Sequence, residues 1–548
     1  MQNNTLNTDA KQSSSSLTRK QLIKRLKEQD FDVLIIGGGA TGAGCALDAA
    51  TRGLKTALID SHDYAFGTSS RSTKLIHGGV RYLENAIKHF DWKEYELVRD
   101  ALHERKYFLH NAPHLTHPIA LLTPVYSCFE SFYYWVGLKI YDVIAGNARF
   151  GASTFLSKKE VLKRFPAIQS QGLKGAVLYY DGQFNDARMN IALILSALRA
   201  GAVTLNYVGA HDFIKKDKKI VGLNVEDKVS KERWPVYAKL VINATGPYTD
   251  SIRKLNDSNA KNIMVPSQGS HIILPREYSP RDGGVVIPKT KDGRVIFLLP
   301  WQGKTLAGTT DQPQKITDNP TASKEEVDYI IEHVAHYVAK PIEQKQVLAS
   351  WSGLRPLAKP EHQKNSTAAM SRDHLIELSD SGLLTIVGGK WTTYRKMAQD
   401  VIDSAVKAGS LKVKNNCITK KLKLVGADNY GQEQGCFNFL DKDIAKYLLH
   451  AYGDQAEQVI KIDRPCRLLE DNPYIEAEII YALRYEYALY ANDIIARRIR
   501  IAFLDQRAAL KIVPKVVAIM AQELSWDSER AAQEIKETNK FVQSMLIS

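Results

Sequence analysis

The chain has 548 residues, 44% of them apolar and 24% charged, an ordinary globular balance that excludes a collagen-like, wholly disordered or disulfide-scaffold protein. At about 150 residues per domain, this length predicts three or four domain-sized units or two large ones. Lysine and arginine number 74 against 60 aspartates and glutamates, and the net charge of +14 favours anionic partners such as phosphorylated metabolites, anionic lipid or nucleic acid.

The five cysteines are scattered and never form Cys-x-x-Cys, which predicts a reducing compartment and neither a disulfide framework nor a zinc site. Residues 1–16 are polar and lack an apolar core, so they are read as a disordered tail rather than a secretory signal. Residues 17–30 place Leu22, Ile23 and Leu26 on one helical face, with Lys20, Lys24, Arg25 and Lys27 around the rest. Such a helix either packs on the body or rests on a membrane surface. Asp9, Glu28 and Asp30 argue against a transit peptide.

Residues 31–36 are a largely apolar run of the kind buried on both faces in a parallel sheet. The run enters Gly37-Gly-Gly39-Ala-Thr-Gly42, a G-x-G-x-x-G turn followed by an alanine-rich helix and a second strand ending in Asp60. Gly37 permits the tight turn, Gly39 lets the backbone approach a pyrophosphate, and Gly42 lets helix and strand pack closely. Asp60, some twenty residues further on, is placed to accept from a ribose diol. Strand, glycines, helix, strand and acid in this order predict a dinucleotide site without deciding between NAD and FAD.

Residues 63–79 supply Thr68, Ser69, Ser70, Ser72, Lys74, His77 and Gly78, donors suited to the pyrophosphate and ribitol of an extended cofactor. His110, His114 and His117 cluster without an accompanying acid or cysteine and beside Pro113 and Pro118, so they are read as structural, and no metal is expected. Residues 124–146 concentrate aromatic residues beside apolar ones, a pattern shared by interfacial segments and interior helices. The most apolar stretch, 132–146, is short and carries Lys139 and Asp142, so a transmembrane span is not expected. Residues 239–247 form a buried strand ending in Ala-Thr-Gly246, predicted to return beside the first strand at the carboxyl edge of the sheet. A third strand, 383–387, leads into Gly388, Gly389, Lys390 and Thr392 and then a helix. From about residue 415 helical patterns take over, at 473–487 and 514–547. The basic run 492–500 is read as a solvated helix by default, with lipid contact or dimer support as alternatives.

Three strand-to-glycine elements so far apart predict a flavoprotein of interleaved domains. The strings Ser70-Arg-Ser-Thr-Lys-Leu-Ile-His-Gly-Gly-Val-Arg-Tyr82, Trp351-Ser-Gly-Leu-Arg-Pro356 and Gly388-Gly-Lys-Trp-Thr-Thr-Tyr-Arg395 closely resemble FAD-dependent glycerol-3-phosphate dehydrogenase. The resemblance covers about residues 31 to 525, including Tyr180-Asp-Gly-Gln-Phe-Asn-Asp-Ala-Arg188 and Asn243-Ala-Thr-Gly-Pro247. It is nearer the mitochondrial type. No Asp-x-Asp-x-Asp-Gly loop is present, so calcium-binding EF-hands are not expected.

The resemblance implies an α/β fold plus a helical domain. An FAD-binding Rossmann-like domain (31–80, 171–249 and 351–410) would interleave with a D-amino-acid-oxidase-like mixed-sheet substrate domain (81–170 and 250–350). A helical C-terminal domain (411–548) would follow. It implies FAD as cofactor, sn-glycerol 3-phosphate as substrate, and ubiquinone or menaquinone as acceptor at a membrane surface. Arg81, Arg355 and Lys390 match the family's substrate cations and Tyr82 its hydroxyl donor. His271 and His77 match histidines near the site, with His271 favoured as the base. A homodimer is allowed, and no nucleic-acid partner is expected. The cytoplasmic face of a bacterial inner membrane is the first location implied and the mitochondrial inner membrane the second. The rival readings are a glycerol-3-phosphate oxidase using O2 and, further off, a basic FAD-dependent RNA-modifying protein, which lacks a recognisable RNA module here.

Overall fold

The computed structural model describes residues 17–79, 83, 90–288, 290, 294–359, 374–432 and 437–546. The strand Phe31–Ile36 lies inside a sheet of eight strands, with Thr56–Ile59 on one side and Arg233–Asn243 on the other, both parallel to it. Val203–Leu205 continues beyond the former, and Leu383–Gly388, then the antiparallel His374–Leu378, beyond the latter. Ile36 stands opposite both Ile59 and Asn243, and Asn243 opposite Thr385. Three chain segments therefore leave one sheet edge and enter glycine together, at Gly37, Gly246 and Gly388. The carboxyl edge of a parallel sheet is where ligands bind in such folds. Small residues let the covering helices approach: a Cβ on Gly44 of helix Ala40–Thr51 would lie 3.0 Å from that of Ala398 on helix Tyr394–Ala408.

The second sheet has ten strands. Its main path runs Gln312–Pro313, Met264–Leu274, Lys304–Gly308, Ile296–Trp301, Gly284–Ile287, Thr116–Val125, Gly175–Phe184 and Leu75–Ile76, and off that path Ala349–Ala358 pairs at length with Met264–Leu274. The pairing of Gly284–Ile287 with Thr116–Val125 is parallel and the others antiparallel, so the sheet is mixed. Strands Gly175–Phe184 and Ala349–Ala358 depart from the boundaries drawn on the sequence, which gave 171–249 and 351–410 to the dinucleotide domain. An apolar pattern announces a strand, but the partner that pairs with it decides the sheet, and Ala349–Ala358 pairs along its length with Met264–Leu274.

Helix Arg19–Glu28 packs on the body, with Leu22 and Leu26 buried in the core of the first sheet. Arg19 reaches Asp227 and Asn206, and Lys27 lies 4.7 Å over the ring of Trp234. Helix Cys128–Ala145 turns Leu138, Tyr141 and Ala145 inward and leaves Phe129, Phe132 and Val143 exposed.

The C-terminal part is helical, from Lys442–Tyr452 through Glu476–Tyr485 to Gln506–Leu524 and Ser528–Gln543. The last two helices are parted at Ser525, whose left-handed φ of 54° ends the first, and the first begins before Pro514, capped by Asp505. The basic run near 492–500 corrects the solvated reading: Arg497, Arg498 and Arg500 are buried. Arg497 and Arg498 pair with Asp63, Arg497 also with Asp493, Arg498 with Glu486, and Arg500 with Asp186. Buried charge is tolerated when each group meets its opposite and its hydrogen-bond partners, and two of these carboxylates, Asp63 and Asp186, are distant in sequence.

Candidate active site

The glycine turn is shaped by close approach. Gly37 has φ of +108° and its Cβ would strike the carbonyl of Ala244 at 2.6 Å; a Cβ on Gly42 would lie 1.8 Å from the Gly37 carbonyl oxygen. Gly39 caps helix Ala40–Thr51, and the half-buried amide of Ala40 donates to Ser69 Oγ at 2.9 Å. Asp60 accepts from the amides of Gly38 and His62 at 2.6 and 2.8 Å. Burial lifts the Asp60 carboxyl above its ordinary range, and those amides pull it back down. Gly246, with φ of +55°, faces open space where a Cβ would stand. A half-buried helix N-terminus, a turn that only glycine can make and open space at the facing turn form a cradle that fits a dinucleotide pyrophosphate.

Above this edge lies one face of the second sheet. Along Met264–Leu274 the residues Ser267, Gly269 and His271 alternate onto it, and opposite them stand Arg355, Gly353 and Trp351. Gly269 carries no Cβ, which would come within 2.3 Å of the Arg355 guanidinium; the fork therefore lies flat across the strand. Arg355 donates to Thr309 Oγ1 at 3.0 Å and to the Thr310 carbonyl at 3.1 Å, and its nearest carboxylate among the described residues is Asp311 at 3.4 Å. Its side chain stays 25% exposed. His271 stacks on Trp351 and meets Thr73 through Nε2. Burial, then Lys74 and Arg355, hold the His271 imidazole well below the ordinary histidine range, so it is neutral at pH 7.

The loop 68–77 crosses between the two sheets. A Cβ on Gly353 would meet the Arg71 carbonyl at 2.8 Å, so the loop rests directly on the substrate-domain strand. Thr68 donates to the Leu354 carbonyl, Trp391 to that of Ser69, and Tyr141 OH accepts from Gly78 N. Ser72 donates to Asp186 through its amide and its hydroxyl, and the Lys74 ammonium lies 2.6 Å from the same carboxylate. Burial draws the Lys74 ammonium down toward about 7, opposed by Asp186. Thr392 approaches the His77 carbonyl at 3.5 Å. Gly389, at φ +79°, turns the chain into Lys390, which is half-buried, as is His77.

The structure thus brings His271, Arg355 and the loop of Thr68, Ser69, Ser70, Ser72 and Lys74 together, with His77, Gly78, Gly389, Lys390 and Thr392 along the same seam. Arg81 and Tyr82 lie outside the described residues. His114 is buried against Gly426 and Gly453, and burial pushes its imidazole down to about 3. His117 pairs with Gln183 at 3.1 Å. Sequence reasoning assigned no role to Thr73, Asp186, Thr309, Asp311 or Arg500. Thr73 stood inside a recognised string, and Asp311 follows a Gly-Thr-Thr turn, a signal available but unused.

Residues 32–395 match the family described as FAD dependent oxidoreductase, and residues 417–531 match the C-terminal domain of alpha-glycerophosphate oxidase. The mitochondrial glycerol-3-phosphate dehydrogenase of Arabidopsis thaliana is 44% identical over 97% of this chain and 89% of its own length. The human mitochondrial enzyme is 45% identical over 95% of this chain and 74% of its own. Among solved structures, the glycerol-3-phosphate dehydrogenase of Bacillus halodurans complexed with FAD superimposes with a TM-score of 0.77 at 29% identity, covering 97% of this chain and 98% of that one. The chain belongs to the FAD-dependent oxidoreductases and, among them, to the FAD-dependent glycerol-3-phosphate dehydrogenases.

Proposed function

We propose that the protein oxidises sn-glycerol 3-phosphate at C2 to dihydroxyacetone phosphate and passes the electrons to ubiquinone or menaquinone at a quinone-bearing inner membrane, bacterial or mitochondrial. The observation that carries this reading is Arg355, a planar fork with a quarter of its side chain exposed, laid across Gly269 on the sheet face that holds His271. Such a fork suits a phosphate or a substrate oxygen. Arg81, Tyr82 and Lys390 complete the substrate site in this reading.

FAD, when bound, supplies the two-electron acceptor for the hydride leaving C2. Gly37, Gly39, Gly42 and Gly246 would cradle it, Asp60 would face its ribose, and Thr68, Ser69, Ser70, Ser72, Lys74, His77, Gly78, Gly389, Lys390 and Thr392 would line its length. His271 is the base that removes the hydroxyl proton, with His77 the second candidate; a neutral imidazole is ready to accept a proton at pH 7.

The quinone acceptor is supported by helix Cys128–Ala145, which exposes Phe129 (77%), Phe132 (67%) and Val143 (79%), with Phe90 and Trp92 exposed near the start of helix Trp92–Asn111. Among the described residues no helix is long and apolar enough to cross a membrane, so the proposed attachment is peripheral or monotopic. Large aromatic and aliphatic groups on one helix face suit the headgroup boundary.

The test is the flavin absorbance of purified protein under anaerobic conditions. It should bleach with sn-glycerol 3-phosphate but not with glycerol, then recover quickly with a soluble quinone and slowly with air. Rapid recovery in air would favour the oxidase, and a flavin that neither compound reduces would sink both readings.

A further inference from the structure

His271 lies on the sheet face that carries Arg355, yet the residue is only 2% exposed. The Trp351 ring covers one flat of the imidazole at 4.3 Å, and a Cβ on Gly308 would come within 2.5 Å of its Cδ2. Nδ1 is enclosed and has no hydrogen-bond partner among the described residues. Nε2 meets the Thr73 hydroxyl at 2.9 Å, and Thr73 is half-buried where His271 is buried. Among the described residues, the hydrogen-bonded route from this histidine toward the more open side of the loop passes through one oxygen, Thr73 Oγ1.

That oxygen is held in place from both sides. Ser72 is tied to Asp186 through two hydrogen bonds, and Lys74 donates to Asp186 and to the Ser70 carbonyl. Arg500, from the helical domain, donates to the same Ser70 carbonyl at 2.7 Å and pairs with Asp186 at 3.3 Å. Thr73 sits between two residues anchored to one buried carboxylate, so its hydroxyl faces the imidazole without a loop rearrangement.

Resting on the reading of His271 as the base, we propose that the substrate proton reaches it through Thr73. As the C2 hydroxyl O–H bond breaks, its proton forms a new bond to Thr73 Oγ, while the proton already on Oγ passes to His271 Nε2. The hydroxyl is regenerated, the imidazole becomes imidazolium, and the electron pair leaves with the C2 hydride to the enzyme's flavin. An alcohol is a poor base alone, and one hydrogen-bonded to a neutral imidazole is the arrangement that activates it. Thr73 is then the catalytic residue in contact with substrate, and His271 the terminus behind it.

The experiment compares Thr73→Val, Thr73→Ser, His271→Asn and the Thr73→Val/His271→Asn double variant as FAD-loaded protein. Flavin reduction by sn-glycerol 3-phosphate is followed anaerobically by stopped flow, and dihydroxyacetone phosphate affinity is read from perturbation of the flavin spectrum. Thr73→Val should slow reduction by about a hundredfold or more, the range of a lost proton-transfer group, with product affinity changed by less than about threefold. Thr73→Ser should recover most of the rate. The double variant should be no slower than the slower single one, because the two groups act as a unit. A fast Thr73→Val beside a slow His271→Asn would overturn the relay and leave His271 accepting directly. An unimpaired His271→Asn would remove the base reading itself, and the relay with it. A loss of product affinity in Thr73→Val that Thr73→Ser shares would also overturn the proposal, marking Thr73 as packing.

Discussion

Arg355 and Arg498 are the same residue type in opposite circumstances. Arg355 has two neutral oxygens near 3 Å, a carboxylate at 3.4 Å and a quarter of its side chain open. Arg498 is fully buried, with Asp63 at 2.9 and 3.1 Å and Glu486 at 3.2 Å. The first is held across the strand with part of its side chain open; the second is enclosed between two carboxylates. An arginine on a sheet face that keeps part of its fork accessible can meet a substrate oxygen, whereas one enclosed among carboxylates fastens one domain to another.

This comparison can be broken from the buried side first. Arg498→Met strands part of the Asp63 and Glu486 charge and should cost about 3–5 kcal/mol, read as an earlier urea midpoint for flavin release, with the preference of the loaded enzyme for phosphorylated substrate intact. A lost preference would show that the two arginine sites are not separable. Adding Asp63→Asn to that variant should return part of the stability, because fewer buried charges are then left without a partner.

A smaller effect is expected at the exposed aromatic helix, which leaves large apolar side chains on the surface. Phe132→Ser with Val143→Ser removes two exposed apolar groups, each worth about 1.5–3 kcal/mol when fully buried and less at a partly immersed interface. Co-sedimentation with anionic liposomes should fall several-fold, while reduction of the flavin by substrate in solution stays the same. Unchanged sedimentation would move the membrane contact elsewhere.

The parts legible in the sequence were those where local chemistry forces one solution. Only glycine fits beside the Ala244 carbonyl at Gly37 or against the Gly37 carbonyl at Gly42, so the turn announces itself. The return of Asn243 beside Ile36 followed from a buried strand ending in glycine. What could not be read locally was partnership. Asp63 and Arg498 are 435 positions apart, so the basic run near 492–500 looked solvated until its carboxylates were in view. The strand Ala349–Ala358 has the pattern of any buried strand, and only its pairing with Met264–Leu274 puts it in the substrate sheet. Thr73 was hidden differently: its hydroxyl matters because of His271, 198 residues away.

The most direct test of the central claim is the ratio of flavin-reduction rates with sn-glycerol 3-phosphate and with glycerol, measured anaerobically for the wild type and for Arg355→Met. Two lost charge-assisted hydrogen bonds at about 1.5–3 kcal/mol each predict that the preference for the phosphorylated substrate falls by at least about a hundredfold, with the flavin still bound. An unchanged ratio would contradict the account, because the partly exposed arginine on the sheet face would then have no part in choosing the substrate.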